Sequence, residues 1–186
     1  WIKSRSLDNY SWCLGHKDRG WTHFYRTSGG AAGTGGATDE VGIFNDTAPS
    51  STLITLGNNG KANADGETYV AYCFSSVAGF SKIGKYRGDT TYYPFVYTGF
   101  TPKWIWSTSD SHRMVQHLDV PGYNTNTTAL LGSYNNLEEA AAGFSTNFYS
   151  NGFGFNANTG ANLNGNGTTG YYLAFAEAPF QYSNAR

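Results

Sequence analysis

The sequence predicts an all-β domain: a β-sandwich, jelly-roll or lectin-like, built from an internal two-fold repeat and holding at most one short helix. Three observations carry this. Aromatic residues make up 17% of the 186-residue chain and charged residues only 13%, alongside 24 glycines; an ordinary soluble domain has about 25% charged residues. Such a composition fits aromatic and β-branched strands joined by Gly, Asn, Asp and Ser turns. Short apolar runs alternate with polar residues at the period of a strand. The chain also repeats itself. Trp1-Ile2-Lys3-Ser4-Arg5-Ser6 returns as Trp104-Ile105-Trp106-Ser107-Thr108-Ser109, and Tyr69-Val70-Ala71-Tyr72-Cys73-Phe74 as Tyr172-Leu173-Ala174-Phe175-Ala176, both 103 positions later. Two copies are too few for a solenoid, so the duplication is expected inside one compact body.

In chain order, strands are expected at 1–5, 10–14, 21–26, 41–44, 53–56, 68–74, 80–86, 93–98, 104–107, 114–118, 153–155 and 171–176. Each is a short apolar or aromatic run bounded by turn residues, as in a sandwich. In 68–74, Tyr69, Ala71 and Cys73 share one face, and Val70, Tyr72 and Phe74 the other. Tyr172, Ala174 and Ala176 match the first set, so both closing strands are expected at the centre of the domain. Cys73 then reads as a small buried hydrophobe. A Cys13–Cys73 disulfide is open, because neither spacing nor context selects it. The one helical stretch is 136–142, where Asn136 is the N-cap and Glu139 completes a capping box. The Asn/Gly-rich stretches 57–66 and 156–167 read as equivalent turns, and the Gly-rich run 28–36 as a surface loop.

The organisation expected is one domain over 1–186, with copies 1–77 and 94–180 and a hairpin, 78–93, between them. Trp104 follows Pro94-Phe95-Val96-Tyr97-Thr98-Gly99-Phe100-Thr101-Pro102-Lys103, whereas nothing precedes Trp1. The chain is therefore expected to begin inside its first copy, as the C-terminal part of a longer one.

A net charge of −1 without a basic run leaves no electrostatic footprint for nucleic acid. No apolar run approaches the ~20 residues of a membrane span. Catalysis finds no signature. Ser109-Asp110-Ser111-His112-Arg113 sets three catalytic residue types side by side, but a triad assembles from separate segments, so a polar turn is expected. The G-x-S-x-G elbow is missing, and no carboxylate pair stands out from surface charge. No enzyme activity, catalytic residue or cofactor is therefore predicted. Asn162, Asn164 and Asn166 mimic a calcium loop without one carboxylate, so no metal site is predicted there. Arg87-Gly88-Asp89 reads as a turn. The aromatic inventory is the better lead. Trp12, His16, Asp18, Arg19, Trp21, His23 and Tyr25 crowd one segment, where rings can stack on sugar faces while Asp and Arg bond hydroxyls. The competing reading is that alternate rings pack into the core.

Ala78-Gly79-Phe80-Ser81-Lys82-Ile83-Gly84-Lys85-Tyr86, the 94–105 run and the closing Tyr171-Tyr172-Leu173-Ala174-Phe175-Ala176-Glu177-Ala178-Pro179-Phe180 carry a resemblance. Across 69–180 the chain resembles an uncharacterised β-rich domain family found in marine bacteriophage and cyanophage virion proteins of tail-fibre type. The resemblance implies a virion structural module, in a tail fibre or tail-associated, serving assembly and host-surface attachment. It also implies a virion or extracellular location and other virion proteins as partners. Proteins of that class form homo-oligomers, a trimer first. The alternative is a lectin-like carbohydrate-binding module on host surface glycans; a polysaccharide-degrading enzyme ranks below both.

Overall fold

The protein is seen in a computed structural model that describes residues 1–8, 10–26, 38–39, 41–109, 112–118, 129–131, 146–155 and 163–177. The described residues form an all-β protein of three antiparallel sheets with two single-turn helices. The chain divides into two compact units, Trp1–Phe74 and Ser75–Arg186.

The first unit holds β1 (Ile2–Ser4), β2 (Cys13–His16), β3 (Gly20–Arg26), β4 (Thr38–Asp39), α1 (Val41–Phe44), α2 (Gly60–Asn63) and β5 (Tyr69–Ala71). Its strands form one sheet in the order β4-β3-β2-β1-β5. Ile2, Cys13, Phe24, Ile43, Phe44 and Ala62 make the core, with Trp21, Leu56 and Tyr69 packed against it. Burial of such side chains contributes about 1.5–3 kcal/mol for each large one.

Two expected strands fail here. Residues 41–44 form the helical turn α1, which buries Gly42, Ile43 and Phe44 in succession. A four-residue apolar run has too little periodicity to separate strand from helix. The backbone decides it. A Cβ on Gly57 would lie 2.3 Å from the Gly42 carbonyl oxygen, and the Gly57 N–H donates to the Ile43 carbonyl. Residues 53–56 form no strand, and Leu53 is 70% exposed. In the Asn/Gly stretch that follows, α2 replaces a simple turn; the Asn59 side chain caps it by accepting from the Lys61 N–H at 2.9 Å.

The second unit holds β6 (Ser81–Arg87), β7 (Phe95–Tyr97), β8 (Pro102–Ser109), β9 (His112–Leu118), β10 (Ala129–Leu131), β11 (Thr146–Tyr149), β12 (Gly152–Phe155) and β13 (Thr169–Ala176). Five strands run in the order β10-β9-β8-β13-β6, and three in the order β11-β12-β7. One core unites the two sheets. Tyr86, Ile105, Tyr172 and Ala174 come from the larger, and Val96, Phe153 and Phe155 from the smaller. Phe153 meets Tyr172 edge-on at 5.2 Å, and Tyr86 meets Phe155 at 4.8 Å. The stretch 78–93, expected as a hairpin, contributes a single strand, β6, whose partner is β13. The helix expected at 136–142 and the loop at 28–36 lie outside the described residues.

Strand pairing recurs at the offset of the sequence repeat. Ile2, Lys3 and Ser4 face Ala71, Val70 and Tyr69; Ile105, Trp106 and Ser107 face Ala174, Leu173 and Tyr172. The closing strands nonetheless differ in place. β13 is interior, between β8 and β6, whereas β5 ends its sheet. The expectation that both are central is corrected for β5. Cys73 is accordingly exposed and Cys13 buried, and no disulfide joins them.

Candidate functional site

The site with the best-defined geometry lies on the outer face of the three-stranded sheet. Along β7, Val96 turns into the core while Phe95 and Tyr97 stay 51% and 61% exposed. Along β12, Phe153 and Phe155 turn inward, so Gly152 and Gly154 take the outer face. Directly opposed residues share a face. One outer row therefore reads Phe95, Gly154, Asn147, and the next Tyr97, Gly152, Tyr149.

Two rings fill the space above the glycines. A Cβ on Gly152 would meet the Phe95 ring at 2.8 Å and the Val96 carbonyl oxygen at 2.2 Å; one on Gly154 would meet the Tyr149 ring at 3.3 Å. Phe95 and Tyr149 thus lean across the middle strand toward each other, their centroids 5.6 Å apart. Beside them opens a groove of about 380 Å³ lined by these rings, Tyr93, Asn147, Ser150 and Asn151.

The groove is held from both ends. The Asn151 carbonyl accepts from the Thr98 and Gly99 N–H groups, and the Ser150 carbonyl from the Thr101 hydroxyl. On the other side, buried Asn164 clamps the backbone of Asp89: its Oδ1 accepts from the Asp89 N–H at 3.0 Å and its Nδ2 donates to the Asp89 carbonyl at 3.1 Å. The Asp89 carboxylate in turn accepts from the Thr91 and Tyr92 N–H groups. This turn delivers Tyr93 in the left-handed region, φ 47°, a costly conformation for an aromatic residue that marks a position determined by its surroundings. Apolar faces flanked by amides and a hydroxyl, with no carboxylate among the described lining residues, suit binding a neutral polyol by stacking and hydrogen bonds.

The family follows from the sequence match. This chain belongs to the family described as Domain of unknown function (DUF7483). The match covers residues 2–179. No curated protein and no solved structure matches the chain.

The residues singled out in the sequence lie in the first unit of this family member, and the structure divides them. Tyr25 is fully buried and His16 is 5% exposed. The Trp21 ring lies across Gly15, where a Cβ would meet it at 2.3 Å, and contacts Phe44 edge-on. His23 is half-buried, with Nδ1 2.7 Å from the Thr22 hydroxyl. Asp18 pairs with Lys17 at 3.1 Å and its N–H donates to His16 Nδ1; Arg19 is half-buried in the same turn. Trp12 joins another group, packing on Tyr72 at 5.7 Å and Trp1 at 6.5 Å, and Trp1 also meets Phe74 edge-on at 5.5 Å.

Other motifs resolve into structure. Ser109 faces His112 across the β8–β9 hairpin, and Asp110 and Ser111 lie outside the described residues. Gly88 of Arg87-Gly88-Asp89 passes so close to Gly165 that a Cβ would sit 2.4 Å from its carbonyl oxygen. Asn164, one of the calcium-like asparagines, is the turn clamp. Sequence reasoning missed Phe95 and Tyr149 as a pair. The usable signal was the Gly-Phe-Gly-Phe alternation at 152–155, which puts two bare positions on one face.

Proposed function

We propose that this chain is a non-catalytic virion structural module, of a tail fibre or tail-associated protein, that attaches to host-surface glycans through the β7–β11 groove. The observation that carries the attachment is the pair of exposed rings, Phe95 and Tyr149, laid over Gly152 and Gly154 beside Asn147, Ser150 and Asn151. Exposed apolar patches rimmed by polar residues mark ligand-binding and interaction surfaces. Support for the virion setting is the resemblance of residues 69–180 to phage tail-fibre-type domains. On this reading the partners are other virion proteins, the location is virion or extracellular, and the assembly is a homo-oligomer, a trimer first.

A glycan array followed by calorimetry on the full chain tests the attachment. Phe95→Ala and Tyr149→Ala are each expected to weaken binding about tenfold, the loss of one stacking contact of about 1.4 kcal/mol. Trp12→Ala leaves it unchanged. Binding sensitive to Trp12 alone would move the site to the first unit, and an array without hits would end the glycan reading. Mass photometry checks the oligomer, and a monomer at micromolar concentration counts against the virion assembly.

A further inference from the structure

The groove takes up only part of the outer aromatic face. Along β7 and the residues on either side of it, burial alternates. Tyr93, Phe95, Tyr97 and Gly99 are exposed, and Val96, Thr98 and Phe100 are buried. Tyr93 and Phe95 line the groove, whereas Tyr97, the most exposed of the three rings, lies beyond it.

Tyr97 is nonetheless built into the same surface. It stands opposite Gly152 in the ladder, and the Asn151 carbonyl accepts from the Thr98 and Gly99 N–H groups, which fastens the 150–151 turn beside it. Its ring reaches along the strand toward Gly99, where a Cβ would lie 3.5 Å from the Tyr97 hydroxyl. Tyr97 therefore leans away from Phe95 and lengthens the face without closing the groove. The two residues are roughly 6.6–6.8 Å apart along the strand, a separation that one sugar unit can bridge. At about 380 Å³ the groove is near the lower end of the roughly 300–1,000 Å³ of ligand pockets. A ligand confined to it leaves Tyr97 uncovered.

The face repeats along one direction what a glycan chain repeats. Apolar ring faces follow one another in a row, and Asn147, Ser150 and Asn151 offer amides and a hydroxyl along one side. No charged side chain stands among the described lining residues. At one end of the row Tyr93 is held at φ 47°, a costly backbone conformation of the kind found at ligand clamps.

We propose that this face reads an extended, uncharged glycan lying along β7, with Tyr97 as a further stacking subsite beyond the groove. The inference rests on the glycan reading of the groove and adds chain length and direction to it. Phe95 and Tyr149 hold one unit, Tyr93 the unit on one side and Tyr97 the unit on the other. Once the central unit is held, each flanking contact forms within a tethered chain, so affinity grows with every subsite filled.

The test is calorimetry on the full chain with uncharged oligosaccharides of one to six units, taken from glucose, mannose and galactose homopolymers. In the series that binds, affinity is expected to climb at least about tenfold from one unit to three, and then to level off. Tyr97→Ala should cost the trisaccharide at least about tenfold and flatten that climb. Tyr92→Ala, which removes a ring that is 83% exposed and outside the groove, should leave the whole curve unchanged. The length series on the unaltered chain tests the inference without any variant. Affinity that does not grow with length overturns it, as does a Tyr97→Ala curve that matches the wild type or a Tyr92→Ala loss as large as that of Tyr97→Ala. In those cases the groove reading stands on monosaccharide binding that Phe95→Ala weakens. Should no series bind, this inference falls, and the glycan array alone decides the groove.

Discussion

Gly170→Ala is expected to be among the most damaging single-methyl changes in the second unit. Gly170 lies on β13, opposite Tyr86 on β6 and Ser109 on β8. A Cβ there would sit 2.0 Å from Tyr86 Cζ and 2.4 Å from its Cε1 and Oη. The ring has nowhere to go. It is 8% exposed and stacked on Phe155 at 4.8 Å, and its hydroxyl donates to the Leu163 carbonyl at 3.0 Å. Forced overpacking costs about 1–3 kcal/mol. Losing the buried hydrogen bond adds about 1 kcal/mol, and losing the ring pair about 1 kcal/mol. Alanine gives back about 0.4–1 kcal/mol by restricting the unfolded chain. The net is a loss of about 2–4.6 kcal/mol, or roughly 8–18 °C in melting temperature at about 4 °C per kcal/mol for a unit of this size. Urea unfolding followed by tryptophan fluorescence measures it, with Tyr86→Leu and the double variant completing a cycle. Because Tyr86→Leu removes the obstructing atoms, the double variant should be more stable than the two losses predict by at least about 1 kcal/mol. A loss below about 0.5 kcal/mol for Gly170→Ala, or strict additivity in the cycle, would refute the reasoning.

Burial pushes the Tyr86 phenol well above its ordinary 10.0. The folded chain therefore keeps this proton where the unfolded chain has lost it. Its contribution is complete below about pH 10 and is lost as pH rises beyond, at up to about 1.4 kcal/mol per pH unit. Between pH 10 and 11.5 the wild type should lose stability more steeply than Tyr86→Phe, as read from urea midpoints; parallel curves would show that the phenol is not held protonated. Asn164→Ala removes both bonds to the Asp89 backbone and should cost about 2–3 kcal/mol in the same assay. A neutral result would mean that the turn before Tyr93 holds itself. Ellman's reagent should label one of the 2 cysteines quickly in the native chain. Cys73→Ser abolishes that fast phase, whereas Cys13→Ser leaves it; two fast thiols would show that Cys13 is not enclosed.

How much was legible in the sequence varies by element. The strands at 21–26, 80–86, 104–107 and 171–176 stand close to β3, β6, β8 and β13, because each is long enough for alternation to be read. The run 41–44 was too short, and it became a helix where Gly42 and Gly57 let two backbones touch. Thr146–Tyr149 escaped because Thr-Asn-Phe-Tyr has a single inward apolar anchor, Phe148, which packs against the core. The candidate site was harder. Trp12 through Tyr25 looked like a binding surface because aromatic density is visible in sequence, but the direction each ring takes is not. Tyr25 and Trp21 went inward; Phe95 and Tyr149, from segments far apart in the chain, went outward together.

The sequence by itself determined the class and the pairing rule. Few charges, many aromatics and many glycines point to a β protein, and the 103-residue offset recurs, pair for pair, in β1–β5 and β8–β13. Tertiary structure decided what the glycines were for. Read along the chain they are turns. In space, Gly15, Gly84, Gly152, Gly154 and Gly170 lie within strands under rings borne by neighbouring strands. It also decided which closing strand is enclosed. β5 and the matching part of β13 are similar in sequence, yet among the described residues β13 has two neighbours and β5 one, because burial belongs to what packs beside a strand and local pattern carries no record of that.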